Sequence, residues 1–379
     1  MWIVVFHSIP ALAWCISIAT VARVLGMGRR GTMVVSAVLA AAFGKFAFFA
    51  LVGGNGFNPD LPAVAIWLYS WVYASAMMLT AFASAAYVCD GVLLLFGCRA
   101  SLRSRRVRTV AAAVMAVLLS AWGVYEGVCV PRVRRVEIQF DSLPREFDGY
   151  RIVQLSDLHC STAARRWRFE GIVQRVNSLA PDMVAITGDF ADGRVDDRLA
   201  DIAPLAQIKA RDGVFGCTGN HEAYWEWDVW RAALCDMGIV FPETGQARVI
   251  RRGDASLAVG GLQDPAFRGD ACPDARNAFS SAPRDAFRIL LFHRPCTAAN
   301  GAESADVRLQ LSGHTHGGAM PGLSLLVARV NENRTRGLYR FASDRWLYLS
   351  PGSGQWAGFP LRLFNPSEIT EITLRKKGT

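Results

Sequence analysis

The sequence predicts an α/β globular domain preceded by a helical, membrane-spanning region, and three observations carry that reading. The chain has 379 residues, 52% of them hydrophobic, with a mean hydropathy of +0.21, more apolar than an ordinary soluble protein. The excess is confined to residues 1–130, which hold long apolar runs, while 131–379 has the composition of a globular sequence. Beyond Pro131 short apolar stretches alternate with amphipathic ones, and five of the short stretches end on a polar side chain.

Four spans are expected, at residues 2–25, 32–52, 63–97 and 110–130. Each is close to or longer than the roughly 20 apolar residues that a spanning helix needs. No basic segment precedes the first, so it reads as a retained helix and not a cleaved signal peptide. The run 63–97 has room for one helix or two tight ones, and the flanking charge decides. Connector 26–31 carries Arg29 and Arg30, 53–62 carries no base, and 98–109 carries five arginines. One helix at 63–97 puts both basic connectors on the cytoplasmic side that such loops prefer. It also places the N-terminus and the domain after residue 130 outside the cytoplasm. Arg132, Arg134 and Arg135 pull the other way, and nine cysteines without a CxxC pair suit a reducing compartment, so the cytoplasmic face is the alternative. Within the apolar runs, Lys45 and Asp90 are expected to snorkel toward the interface and not to line a conducting path.

Charge argues against one class of partner. The formal net charge is +9, but residues 1–130 hold nine basic and three acidic side chains, which leaves +3 for the other 249 residues. No Lys/Arg stripe with interleaved aromatics occurs, so a nucleic-acid partner is not expected. The five cysteines beyond residue 130 have no framework spacing and read as small buried hydrophobes.

In the globular half, strands are predicted at 151–156, 183–187, 214–218, 287–292 and 307–312. They end at Asp157, Gly188-Asp189, Gly219-Asn220-His221, His293 and Gly313-His314, and the carboxyl ends of strands are where open α/β sheets place their sites. Phe169, Ile172, Val173, Val176 and Leu179 recur at helical spacing between the first two. Further strands are expected at 325–330, 346–350 and 369–374. The domain expected from these elements is 131–379. The glycines before Asp189, Asn220 and His314 read as turn positions and not ligand contacts.

The histidines sharpen this picture. Of six, only His7 lies in the membrane half; the other five sit at these strand ends, as His159, His221, His293, His314 and His316. Joined by Asp157, Asp189 and Asn220, they offer mixed imidazole and oxygen donors, a set that favours manganese, iron or zinc over magnesium. Two cations ~3.5–4 Å apart can clamp the attacking and leaving oxygens of a phosphoryl displacement, and a carboxylate is the natural bridge between them. No H-E-x-x-H is present, which excludes that class of zinc protease.

The blocks Asp157-Leu158-His159, Gly188-Asp189, Gly219-Asn220-His221-Glu222, His293 and Gly313-His314-Thr315-His316 resemble, in order, the signature of the calcineurin-like metallophosphoesterase superfamily. Ala180-Pro181-Asp182, Pro351-Gly352-Ser353-Gly354 and Pro360-Leu361-Arg362 are similar to its membrane-anchored bacterial branch. The resemblance implies a four-layer α-β-β-α sandwich in a multi-pass protein of the bacterial inner membrane. It implies two divalent metal ions, one held by Asp157, His159, Asp189 and His316. The other would be held by Asp189, Asn220, His293 and His314, with Asp189 bridging and a metal-bridging hydroxide as nucleophile. His221 would then act on the phosphate as a catalytic residue, oriented by Glu222.

Two departures concern the rim: the fourth block reads His293-Arg294-Pro295-Cys296 where His-Asn-Pro-Asp is common, and Ala319 follows Gly318 where Gln is usual. Arg294 is a candidate phosphate contact. The expected reaction is hydrolysis of a phosphodiester or pyrophosphate bond in a lipid-linked or small phosphoester substrate at the bilayer surface, with no obligate protein partner. The named alternative is the UDP-2,3-diacylglucosamine pyrophosphatase of lipid A synthesis, and a non-catalytic membrane signalling component is the other class considered.

Overall fold

The computed structural model describes residues 17, 21–22, 24–53, 58–98, 100–242, 245–269, 272–297 and 301–378, and the expected span 2–25 lies largely outside them. The chain divides into two units: Met1–Glu126 with Ala357–Leu363, and Gly127–Trp356 with Phe364–Thr379. The second boundary differs from the expected one, because a short strap near the C-terminus belongs with the helical unit.

In the helical unit the run expected as one span at 32–52 forms two helices, α1 (Arg29–Phe43) and α2 (Lys45–Val52), bent by 61° at Gly44. Glycine is the weakest helix former of that stretch, so the break falls there. The run at 63–97 is one helix, α3 (Ala63–Leu95), and α4 spans Leu102–Val128. Among the described residues, α3 and α4 are long and apolar enough to cross a membrane, and α1 with α2 adds a third if the bent pair is one span. Helix α4 starts eight residues before the expected 110, so most of the basic connector is in fact its first two turns. There Arg105 and Arg108 pair with Asp90 at 3.1 and 2.6 Å.

Lys45 does not snorkel. It is fully buried, its Nζ donates to Gly358 O at 2.8 Å, and the rings of Phe46, Phe49, Tyr73 and Phe359 lie 5.1–5.8 Å away. The strap is held at a second point, where Arg362 N donates to Gly123 O at 2.8 Å. A Cβ on Gly123 would come within 2.7 Å of the Leu361 Cδ1 methyl, so a side chain there would require Leu361 to shift.

The other unit is built on two six-stranded sheets. The first runs β1 (Arg132–Phe140), β12 (Glu368–Lys376), β2 (Arg151–Leu155), β3 (Met183–Thr187), β4 (Gly213–Cys217) and β5 (Ile239–Val240). The second runs β10 (Gly337–Ala342), β11 (Arg345–Leu349), β9 (Val307–Ser312), β8 (Phe287–Leu291), β7 (Ala255–Gly261) and β6 (Arg248–Arg252). Strands β2 to β5 are mutually parallel, as are β7, β8, β9 and β11. Period-two alternation sends Ile152, Met183 and Ala185 to the core between the sheets, where they meet Leu257, Ile289, Leu309 and Tyr348. Val153, Val184 and Ile186 point the other way, onto Phe169, Ile172 and Val176 of α5 (Arg166–Ser178). The helix layer continues with α6 (Val195–Ile202) and α7 (Trp227–Asp236). The outer face of the second sheet packs Ala258, Leu290 and Val307 against Ala275, Ala278 and Phe279, which lie on a 3-10 turn at Ala275–Phe279. These four layers are the fold class expected.

Residues 325–330, expected as a strand, lie instead in helix α8 (Leu323–Val330). A short apolar run carries no decisive period, and this one follows a turn that starts a helix. Strands β1, β5, β6, β7 and β10 are additional to those expected.

Candidate metal centre

Five parallel strands deliver the site. Asp157 follows β2, Asp189 follows β3, Asn220 follows β4, His293 follows β8 and His314 follows β9. The backbone turns sharply to present these side chains: φ is 52° at Asp157, 46° at His159, 56° at Asp189, 75° at His314 and 48° at His316. Left-handed conformations cost of order 1 kcal/mol or more at non-glycine residues, and they cluster at functional sites. Gly188 serves as the turn expected, with φ of 84°. Gly219 and Gly313 are glycine for another reason. A side chain at Gly219 would collide with the Asp189 carboxylate, and one at Gly313 with Ser156 Oγ and the Asp157 carboxylate.

The side chains converge in two overlapping groups. Asp157, His159, Asp189 and His316 offer donor atoms all within 4.8 Å of one another. Within this group His159 Nε2 lies 3.2 Å from His316 Nε2 and 3.6 Å from Asp189 Oδ2, and His316 Nε2 lies 3.4 Å from Asp157 Oδ1. On the other side of Asp189, His293 Nε2 is 3.3 Å from the same Oδ2. His314 Nδ1 and Asn220 Oδ1 are 2.9 Å apart, and the His293 and His314 rings are 5.1 Å apart between centroids. Asp189 Oδ2 is thus the atom shared by both groups.

This donor set fits divalent cations. His293 Nδ1 donates to Thr187 O at 2.7 Å, which leaves Nε2 bare, fully buried and without a hydrogen-bond partner. His159 Nδ1 donates to Asp192 Oδ2 at 3.0 Å, so its Nε2 also presents a lone pair inward. Lone pairs and carboxylate oxygens packed this tightly repel one another unless a cation sits among them. Burial and then His293 push His314 down to about 3, so it is a neutral donor. Without a cation, a proton takes its place: against burial, Asp189 raises His293 to about 10, and the charges of His293 and His221 hold the buried Asp189 carboxyl well below the usual range. Asp157 is pushed up by burial, and further by the charge of Asp189.

Two expectations change. Glu222 does not orient His221. Its carboxylate accepts from the backbone N–H groups of Asp189, Phe190 and Gly219 at 2.9, 2.7 and 2.6 Å, fastening two site loops together. Burial and Asp189 push its pKa up to about 7 against those three bonds. The partner of His221 is Asp192, whose Oδ1 accepts from Nδ1 at 2.5 Å while its Oδ2 serves His159. Sequence reasoning passed over Asp192, and the only signal was a second carboxylate three residues after Asp189. Burial opposes protonation of His221, yet Asp189 and Asp192 together raise it to about 10. Its side chain is a fifth exposed, beside the open ring of Tyr224.

Arg294 is not a free phosphate contact. Its guanidinium makes a two-pronged pair with Asp264, which is fully buried, at 3.0 and 2.9 Å. Cys296, two residues on, lies 3.3 Å from Cys272, sulfur to sulfur.

Comparison with known proteins agrees with this geometry. The family model described as calcineurin-like phosphoesterase matches residues 150–318. A "Transmembrane protein with metallophosphoesterase domain" of Danio rerio is 34% identical over 278 residues, 71% of this chain and 63% of the relative. Its namesake in Bos taurus is 31% identical over 286 residues, 72% of this chain and 64% of the relative. The chain therefore spans less than two thirds of the length of those two relatives. An uncharacterized metallophosphoesterase of Helicobacter pylori is 33% identical over 268 residues, 69% of each chain. By motif, by fold and by these relatives, the chain belongs to the calcineurin-like metallophosphoesterase family.

Proposed function

We propose that the protein is a dinuclear-metal phosphoesterase that hydrolyses a phosphodiester or pyrophosphate bond in a lipid-linked substrate at the membrane surface. The observation that carries the reading is Asp189 Oδ2, approached by imidazole nitrogens at 3.6 Å on one side and 3.3 Å on the other. One ion would be held by Asp157, His159, Asp189 and His316, the other by Asp189, Asn220, His293 and His314. Ions bound there supply Lewis acidity toward phosphoryl oxygens and lower the pKa of coordinated water. The chain's own part is positioning: Asp192 fixes the His159 tautomer, Glu222 pins the loops, and the left-handed turns aim the donors. His221 faces the open side, where its Nε2 can donate a proton to the leaving oxygen while Asp192 holds Nδ1.

A membrane-surface substrate is supported by α8, which follows His316 by seven residues. Leu325, Leu326 and Val330 are 72%, 62% and 73% exposed. With Leu323 and Arg329 they form an arc of about 160° at 100° per residue, the pattern of a helix lying in a lipid interface. A bacterial inner-membrane location, the extracytoplasmic facing given by charge, and the absence of nucleic-acid or obligate protein partners belong to the same proposal. Hydrolysis of bis-p-nitrophenyl phosphate with manganese is expected to vanish in Asp189→Ala and His316→Ala, and unchanged turnover would sink the metal assignment. Parallel assays on UDP-2,3-diacylglucosamine and on an undecaprenyl-type diphosphate would divide the lipid-linked substrates. A reporter fused after Thr379 reads the side of the membrane.

A further inference from the structure

Both departures in the fourth motif block meet their complements on one other segment. Arg294 pairs with Asp264 and Cys296 meets Cys272, so the stretch after β8 is matched twice to the stretch after β7. The two thiols are half-buried, open enough for a small reagent to reach. Their sulfurs lie 3.3 Å apart, and a disulfide needs about 2.05 Å, so roughly 1.3 Å of approach closes the bond. Cys160 and Cys217 are by contrast fully buried in the two cores, where they act as the small hydrophobes expected of them.

We propose that Cys272 and Cys296 form a reversible dithiol–disulfide modification site, oxidised by a low-molecular-weight disulfide such as glutathione disulfide, that ties the Asp264 segment to the segment carrying His293. The Cys272 sulfur attacks one sulfur of glutathione disulfide, forming a mixed disulfide and expelling one glutathione. The Cys296 sulfur then attacks the Cys272 sulfur, the second glutathione leaves, and the two thiol protons go to the two glutathiones released. Two protein thiols are thereby oxidised to one disulfide, and one glutathione disulfide is reduced to two thiols.

The order of attack follows from the surroundings. The Cys272 thiol is lowered first by the hydrogen bond from Cys296, against burial, with Arg294 adding to the effect. The same hydrogen bond and burial push Cys296 well up. The attacking group is thus Cys272 and the resolving group Cys296. Pro295 stiffens the three-residue path from Cys296 back to His293, so a sulfur drawn toward Cys272 pulls on a candidate metal ligand.

Full-length protein in detergent micelles, equilibrated across glutathione ratios, alkylated and digested, tests this by mass spectrometry. The expected result is a cross-linked peptide joining Cys272 to Cys296, loss of two alkylatable thiols, and reversal by dithiothreitol. Cys296→Ser is expected to leave Cys272 carrying glutathione, and Cys272→Ser to abolish the cross-link. Both cysteines staying alkylatable at the most oxidising ratio, or Cys272 linked instead to Cys235, overturns the site. A second arm rests on the phosphoesterase reading, whereas the first does not. Oxidation should lower bis-p-nitrophenyl phosphate turnover roughly tenfold in the native protein, as sub-ångström misplacement does, and leave Cys296→Ser unmoved. A cross-linked enzyme with unchanged turnover overturns the link to the His293 segment.

Discussion

Replacing Asp192 by Asn changes one oxygen into an amide and leaves the shape intact. The carboxylate accepts two ring N–H bonds, from His221 Nδ1 at 2.5 Å and from His159 Nδ1 at 3.0 Å. An amide nitrogen cannot accept, so one imidazole must give up its Nδ1 proton, and a neutral ring then carries its proton on Nε2 instead. If that ring is His159, the newly protonated atom is the one 3.2 Å from His316 Nε2 and 3.6 Å from Asp189 Oδ2, and it can no longer hold a cation. Loss of such an orienting partner typically costs about 10–100-fold in metal affinity, ~1.4–2.7 kcal/mol. If the ring is His221, which Asp189 and Asp192 hold protonated, it is left as a neutral imidazole, a far weaker acid at Nε2 than the cation; affinity stays and turnover drops by roughly 10²–10⁴. The assay is manganese-dependent hydrolysis of bis-p-nitrophenyl phosphate by the full-length protein, followed as a function of both metal and substrate. A variant within twofold of the native protein in both metal midpoint and turnover would refute the claim that Asp192 orients either ring.

Three further outcomes are expected. Glu222→Ala strands three buried backbone N–H groups, each worth about 1–3 kcal/mol when left unmade; a net loss of about 3 kcal/mol should lower the melting temperature by roughly 6–12 °C in a fluorescence melt. Leu325→Glu with Leu326→Glu should reduce turnover of a lipid diphosphate in bilayers by roughly tenfold or more and leave the water-soluble diester untouched; equal effects on both would remove α8 from substrate delivery. Lys45→Ala takes away the donor to Gly358 O, and limited proteolysis should then cut within 357–363 about tenfold faster, the equivalent of ~1.4 kcal/mol of local opening.

What was legible in the sequence is what is encoded locally. Each of β2, β3, β4, β8 and β9 is a short apolar run that stops at its own ligand, so strand and donor lie within a few residues and both can be read. Strand β1 was hidden because its alternation is masked by arginines on the exposed side, in the sequence RVRRVEIQF. That β12 inserts between β1 and β2, parallel to one and antiparallel to the other, is a tertiary fact with no local mark. The same holds for Asp192 and Glu222. Apart from Gly219, three residues before Glu222, their partners lie 29 to 33 residues away, so spacing identified them as carboxylates near a motif without saying what they hold. For Glu222 the neighbouring His221 was a misleading guide, since adjacent side chains on a turn point apart. Lys45 was misread for a related reason: a lysine in an apolar run is sent to the interface only when no carbonyl and aromatic cage is near enough to take it.

The strap bears on how such a protein is inherited and handled. Because residues 357–363 belong with the helices while the residues on both sides of them belong with the sheets, the phosphoesterase half is not a contiguous cassette. A fragment begun after residue 126 keeps the buried Phe359, Leu361 and Leu363 but loses Lys45 and Gly123, which hold the strap's backbone. Those side chains then become a sticky surface, and the fragment should precipitate unless the strap is rewritten with polar residues. Exchange of membrane regions between relatives faces the same barrier. A new set of helices has to arrive together with a matching seven-residue segment from beyond most of the sheet strands, so the two are expected to change in step.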